Sequence, residues 1–270
     1  MVITLLFTLT AMASESCLLR GELENDFMRE PLASSHRINN QRDFMKMAGR
    51  IQKEYGPDFY RRGQSLKVVT DWKTDEENAY ATQEGKVAKI HLLGGYARLL
   101  HEDAFLMVAC HELGHHLAGA PYYSFSQGPF RISIEGQADY FATSKCMRRL
   151  LKFEDNRAHI KRYGSHSSVR IDCNHVWGVN TPDSFLCMRS IMAAMNLRLR
   201  HLPYARDRLN LRDYTKVELT YERHPQAQCR FDTHRAGALC PVSENLNQSN
   251  CLSNRVRQGA GVRPACWFLN

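Results

Sequence analysis

Two histidines four residues apart close the string His111-Glu112-Leu113-Gly114-His115. Twenty residues after the second of them comes Glu135-Gly136-Gln137-Ala138-Asp139. On a helix, residues i and i+4 lie one turn apart on one face, so His111 and His115 can direct two imidazoles at one point. A catalytic zinc takes three protein ligands and keeps its remaining position for water. His111, His115 and Glu135 make such a set, and Glu112 stands beside it as a general base for hydrolysis. Asp139 follows Glu135 by one helical turn, where a carboxylate can accept the outer ring N–H of a ligating histidine and fix its tautomer.

Two helices must present these groups. Phe105, Leu106, Met107, Val108, Ala109, Leu113 and Leu117 make the first mostly apolar. His and Glu embedded in such a helix need partners, and a metal ion supplies them. Gly119-Ala120-Pro121 marks the helix end, and Tyr122 to Pro129 has the composition of a loop. From about Ile132 to Leu151, apolar residues recur at helical spacing and predict the second helix. Upstream, a helix is expected over roughly Gln41 to Tyr55, ended by Gly56-Pro57. Strands are expected over Leu66–Asp71, Asn78–Thr82 and Lys86–Leu92, with helices dominating through about Arg200. The class is α+β, with a small sheet beside the helix that carries the histidines.

Asn78-Ala79-Tyr80-Ala81, then Gly85 to Ile90, Leu92-Leu93, and Glu102-Asp103-Ala104 running into the His-Glu-x-x-His helix follow one another in an order and spacing that resembles the HtpX and CAAX-prenyl-protease family of gluzincin metallopeptidases. His224-Pro225, with Arg230 six residues beyond the histidine, is similar to a later segment of that family, so the resemblance spans residues 78 to 230. It implies a zincin-like fold and zinc-dependent cleavage of protein. By the same resemblance, Asn78, Ala79 and Tyr80 belong to an edge strand that holds an extended substrate through main-chain hydrogen bonds. His224 would donate to the developing oxyanion, and Arg230 would position Glu135 or the substrate. One difference is that relatives commonly carry an arginine three residues before the ligand Glu, whereas Arg131 stands four before Glu135.

Residues 1–13 read as a signal peptide: Val2 to Ala13 is an apolar run and Ala11-Met12-Ala13 an Ala-x-Ala cleavage signature, although basic residues before the run are lacking. This points to an exported protein, periplasmic or extracellular. Residues 14–62 are expected to form a lead-in and helix, whether propeptide or integral part. Residues 63–230 are expected to form the catalytic domain and 231–270 a Cys-rich extension. No later stretch approaches the ~20 apolar residues of a membrane span.

Nine cysteines agree with an oxidising compartment. Cys110, inside the apolar helix, is expected to be the free thiol. The other eight are expected to form four bridges, with the tail bridged internally and against the catalytic domain. The formal charge of +8 is concentrated locally in Arg198, Arg200, Arg206, Arg208 and Arg212. In an exported protein it points toward membrane surfaces, envelope polymers or acidic substrates rather than nucleic acid, or simply to a solvated basic face. The expected partner is polypeptide, and the leading reading is an exported zinc endopeptidase acting on extended or unfolded chains. A catalytically silent zincin-like module that binds envelope components, and a hydrolase of peptidoglycan peptides, are the alternatives.

Overall fold

A computed structural model describes residues 37–201, 211–241, 251 and 261–269. The expected signal peptide, Cys17, Arg206 and Arg208 lie outside the described residues. The first element is helix α1 (Gln41–Arg61), whose N-terminus is capped by the Asn40 side chain, which accepts from Asp43 N. Gly56-Pro57 does not end it, contrary to expectation. Proline inside a helix costs about 3 kcal/mol, but Tyr55 and Phe59 on either side of Pro57 are both buried. Burying that continuous apolar face outweighs the lost hydrogen bond.

Three strands follow, β1 (Ser65–Asp71), β2 (Ala79–Glu84) and β3 (Val87–Leu93), each within a residue or two of its expected span. The sheet order is β1-β3-β2, with β1 parallel and β2 antiparallel to the central β3. The parallel register pairs Val68 with Ile90, and the antiparallel register pairs Ala81 with the same Ile90. Gln52 of α1 completes the link to β1, accepting from Val68 N at 3.0 Å and donating to Leu66 O at 2.8 Å.

After a short helix α2 (Gly94–Leu99) comes α3 (Glu102–Leu117), whose residues 103 to 116 are all buried. His101 caps it by accepting from Asp103 N, and Glu102 and Asp103 place negative charge in its first turn. The His116 ring meets Lys89 O at 3.2 Å and so fixes α3 against β3. The second helix starts at Glu135 rather than near Ile132. Helix α4 (Glu135–Phe141) continues through a π-helical turn (Ala142–Cys146) into α5 (Met147–Leu151). Arg131 stays in the preceding loop, its guanidinium over the Tyr122 ring and its Nε donating to Ser126 O at 3.3 Å.

Helices α6 (Asn156–Tyr163), α7 (Ser167–Trp177), α8 (Pro182–His201) and α9 (Ala227–Ala238) complete the layer. Helix α9 crosses the boundary expected at residues 230–231 and packs on α8, α4 and the π turn, so the segments 63–230 and 231–270 share a helix. The main core joins α1, the sheet, α3 and α8 around Phe44, Phe59, Ile90, Phe105 and Met107. None of the described helices is long and apolar enough to cross a membrane. The architecture is α+β, as expected.

Four disulfides tie the elements together: Cys110–Cys146, Cys173–Cys187, Cys229–Cys266 and Cys240–Cys251. Cys110 is therefore not the free thiol. Helix α3 and the π turn lie close enough to bring its Cα within 5.5 Å of that of Cys146, inside the range a disulfide spans. The tail is bridged both within itself and to α9, as its cysteine spacing suggested.

Candidate metal centre

The close approach of α3 and α4 creates the site, and glycine makes that approach feasible. A Cβ on Gly114 would lie 2.8 Å from Ala138 Cα. On the other side of α4, a Cβ on Gly136 would lie 2.2 Å from the indole of Trp267. Helix α4 is thus clamped between the histidine helix and a buried tryptophan from the tail. Its first residue, Glu135, is aimed at the two histidines.

One ligand atom each from His111, His115 and Glu135 lies within 4.8 Å of the others, and all three residues are buried. His111 Nε2 is 3.1 Å from Glu135 Oε2, and His115 Nε2 is 3.7 Å from Glu135 Oε1. The outer nitrogens are engaged elsewhere. His111 Nδ1 donates to Asp139 Oδ1 at 2.7 Å, and His115 Nδ1 donates to the backbone carbonyl of Ser133 at 2.8 Å. With both Nδ1 atoms committed as donors, both Nε2 lone pairs can face the shared centre, as metal-binding imidazoles require.

Arg230 of α9 holds Asp139 in turn, through Nε at 2.8 Å and Nη2 at 2.7 Å. It reaches Asp139 directly and is connected to Glu135 only by way of Asp139 and His111. His224 lies on the open side, its ring largely exposed and its Nε2 3.0 Å from Glu135 Oε2. Asn78 lies one residue before β2, where its Oδ1 accepts from Ala79 N and its Nδ2 donates to Glu76. Tyr80 stacks on His91, with ring centres 4.2 Å apart. Strand β2 is an edge strand of the described sheet.

Three contributors escaped the sequence. The Tyr123 hydroxyl donates to Glu135 Oε1 at 2.7 Å, Ser133 offers only its carbonyl, and His234 Nδ1 donates to Asp139 O at 2.9 Å. Of these, His234 carried a usable signal: it follows Arg230 by one helical turn and therefore shares its face of α9. A backbone carbonyl leaves no trace in residue type.

Charge balance tests whether a metal ion suits this donor set. Burial opposes charge on His111, but Asp139 and Glu135 outweigh it and lift its pKa to about 10. Burial and the charge of His111 push His115 down to about 4. Burial would raise the Glu135 carboxyl, yet the neighbouring histidines, led by His111, hold it far below the carboxylate range. Two buried carboxylates thus retain a positive charge at the imidazoles even in the absence of an ion. A divalent cation satisfies the same demand, and two imidazoles with one carboxylate suit its ligand preferences. Glu112, beside the cluster, is pushed up to about 7 by burial. A second grouping, Asp213 with Cys229 and Cys266, offers no thiolates because the two cysteines are bonded to each other.

Comparison with known protein families, with curated proteins and with solved structures returns no match to this chain.

Proposed function

We propose that this chain is a zinc metalloendopeptidase with a zincin-like fold that cleaves extended or unfolded polypeptide in an oxidising, extracytoplasmic compartment. One observation carries the reading. His111 Nε2, His115 Nε2 and the Glu135 carboxylate converge in a buried cluster, both outer histidine nitrogens are already committed, and Glu112 stands one residue from the first ligand. Zinc fits this set of two imidazoles and one carboxylate better than magnesium or calcium, which prefer oxygen donors throughout. The four disulfides support the compartment.

His111, His115 and Glu135 would hold the ion, with Asp139 and the Ser133 carbonyl fixing the two rings. When bound, zinc supplies Lewis acidity, polarising a carbonyl and lowering the pKa of water to roughly 7. Glu112 accepts the proton of the attacking water on its carboxylate and passes it to the amide nitrogen as the C–N bond breaks. The His224 ring, exposed on the open side of the cluster, donates to the carbonyl oxygen as negative charge develops. Ala79 and Tyr80 offer main-chain groups of edge strand β2 to an extended chain, with Asn78 ordering the strand start.

The test is casein digestion by the oxidised protein lacking residues 1–13, run beside its Glu112→Gln variant with zinc measured on both. Cleavage with about one zinc per chain, lost in the variant and on chelation, is the expected result. Full zinc occupancy without cleavage by the parent protein would favour a silent binding module, and absence of zinc would overturn the reading.

A further inference from the structure

A concavity of about 330 Å³ opens where the end of α1, the end of edge strand β2 and the loop between α3 and α4 meet. Arg62, the residue after α1, stands on one side of it and Arg131 of the loop on another. Gln64 and Gln83 contribute amide groups, tied to each other by Gln64 Nε2 donating to Gln83 Oε1 at 3.4 Å. The same loop frames the metal centre. Ser133, whose carbonyl holds His115, donates its hydroxyl to Gly119 O at 2.7 Å and is bridged to Tyr122, and both Gly119 and Tyr122 line the concavity.

Among the described residues the lining holds no carboxylate, and both arginines are met by neutral groups alone. Arg62 donates to His116 O at 3.2 Å. Arg131 donates to Ser126 O at 3.3 Å and lies over the Tyr122 ring. A guanidinium has five N–H donors, so each of these cations keeps its charge and most of its donors. The contrast with Arg230 is plain, since that side chain meets both oxygens of Asp139. Two unneutralised guanidiniums on one concavity are relieved by an anion, and the planar fork of each matches a carboxylate.

The place of the concavity says where on a substrate that carboxylate lies. Gln83 stands three residues beyond Tyr80 on β2. A chain added to the edge of a strand advances residue for residue with it, about 3.3 Å at a time. A substrate paired at Ala79 and Tyr80 while its scissile bond is at the metal therefore comes level with Gln83 about three or four residues from that bond. We propose that the concavity binds a carboxylate carried by the substrate at that distance, on an acidic side chain or at the chain terminus, and that Arg62 and Arg131 select it. The proposal rests on the peptidase reading and names a preference that reading leaves open. Both arginines are specificity residues and take no part in proton transfer.

The experiment uses peptides of one frame with a single cleavable bond, carrying Glu, Gln or Lys at the third or fourth position on either side of it. A second set ends at the third or fourth residue after the bond, with the terminal carboxylate free or amidated. Zinc-loaded protein is assayed for kcat/KM, and zinc-loaded Glu112→Gln protein for binding by fluorescence anisotropy. On one side of the bond Glu should be favoured over Gln by about tenfold in both assays, with Lys the poorest, and the ratio should shrink as salt is raised. A loss on amidation, with Glu and Gln alike, would assign the site to a chain terminus instead. Arg131→Gln should weaken the preference, the double variant Arg62→Gln/Arg131→Gln should abolish it, and Arg131→Glu should turn it toward Lys. Indifference to Glu, Gln and amidation at every position, or a carboxylate preference unchanged in the double variant, would overturn the site and leave the peptidase standing. Carboxylate-dependent binding that the double variant loses, without cleavage by the parent protein, would uphold the site and overturn the peptidase. Neither binding nor cleavage of any peptide overturns both.

Discussion

Arg230 grips both oxygens of Asp139, one of which also accepts from His111 Nδ1 at 2.7 Å. An arginine on α9 thereby sets the orientation of an imidazole on α3 through a carboxylate on α4. Arg230→Leu removes the grip and leaves Asp139 buried with a single strong donor. We expect zinc affinity to fall about 10- to 100-fold, the usual cost of losing a partner behind a metal ligand. Competition with a chelator of known affinity measures this, and unchanged affinity would show that the ring holds its orientation without help.

Glu112→Gln keeps the side-chain shape and removes the proton acceptor. Turnover should drop by about a hundredfold to ten-thousandfold while zinc content stays at the parent level. Activity assay and metal analysis on the same preparation separate this from ligand loss, because His111→Ala should lose both together.

The bridge between Cys110 and Cys146 joins the histidine helix to the π turn, with both cysteines buried. Replacing both by Ala opens a loop closed by a bond between residues 36 apart in sequence. The double variant should lose about 3–4 kcal/mol in denaturant unfolding, a cost that grows with loop length. A loss under about 1 kcal/mol would mean that packing alone holds the two segments.

Asp103 at the start of α3 is buried, which would raise its pKa. Arg189 more than offsets this, meeting Oδ1 and Oδ2 at 2.7 Å each, and the carboxyl lies below its ordinary value of 3.8. The folded state thus holds fewer protons on this group than the unfolded chain does in the acid range. Its stabilisation is present above about pH 4 and is lost as the pH falls through the folded pKa. Asp103→Asn should be less stable at pH 7, and its stability should fall less steeply than the parent's below pH 4. Urea midpoints at pH 7, 4 and 3 would show it, and parallel curves for the two proteins would count against this pair.

Gly114→Ala inserts a methyl where the α3–α4 contact has no room for one. The helices must part, at a cost of about 1–3 kcal/mol, and Glu135 should be displaced from the histidines. Thermal unfolding and zinc affinity should both fall, whereas Gly49→Ala, inside α1 with open space around it, should lower neither.

Much of the centre was legible because helical spacing makes residue type into geometry: His111 and His115 share a face of α3, and Asp139 follows Glu135 around α4. Strand ends were legible from alternation and from Gly85, whose positive φ of 56° suits the turn between β2 and β3. What stayed hidden depended on tertiary contact. Pro57 reads as a helix end until Tyr55 and Phe59 are seen to be buried on either side of it. Cys110 reads as a small buried residue because its partner lies 36 positions away. Tyr123 and Ser133 act from a loop, where no periodicity relates residue type to direction.

Trp267 fills the space over Gly136, while Tyr221 N donates to Trp267 O at 2.7 Å and Cys266 is bonded to Cys229 beside Arg230. A ribosome makes the histidine helix long before it makes this tryptophan. Until synthesis has passed residue 267, the helix bearing Glu135 has one of its two flanking surfaces uncovered, and the segment leading to His224 lacks its backbone tether. Assembly of the centre is thereby deferred until residue 267 has been made, and its last covalent tie to α9 waits for an oxidant.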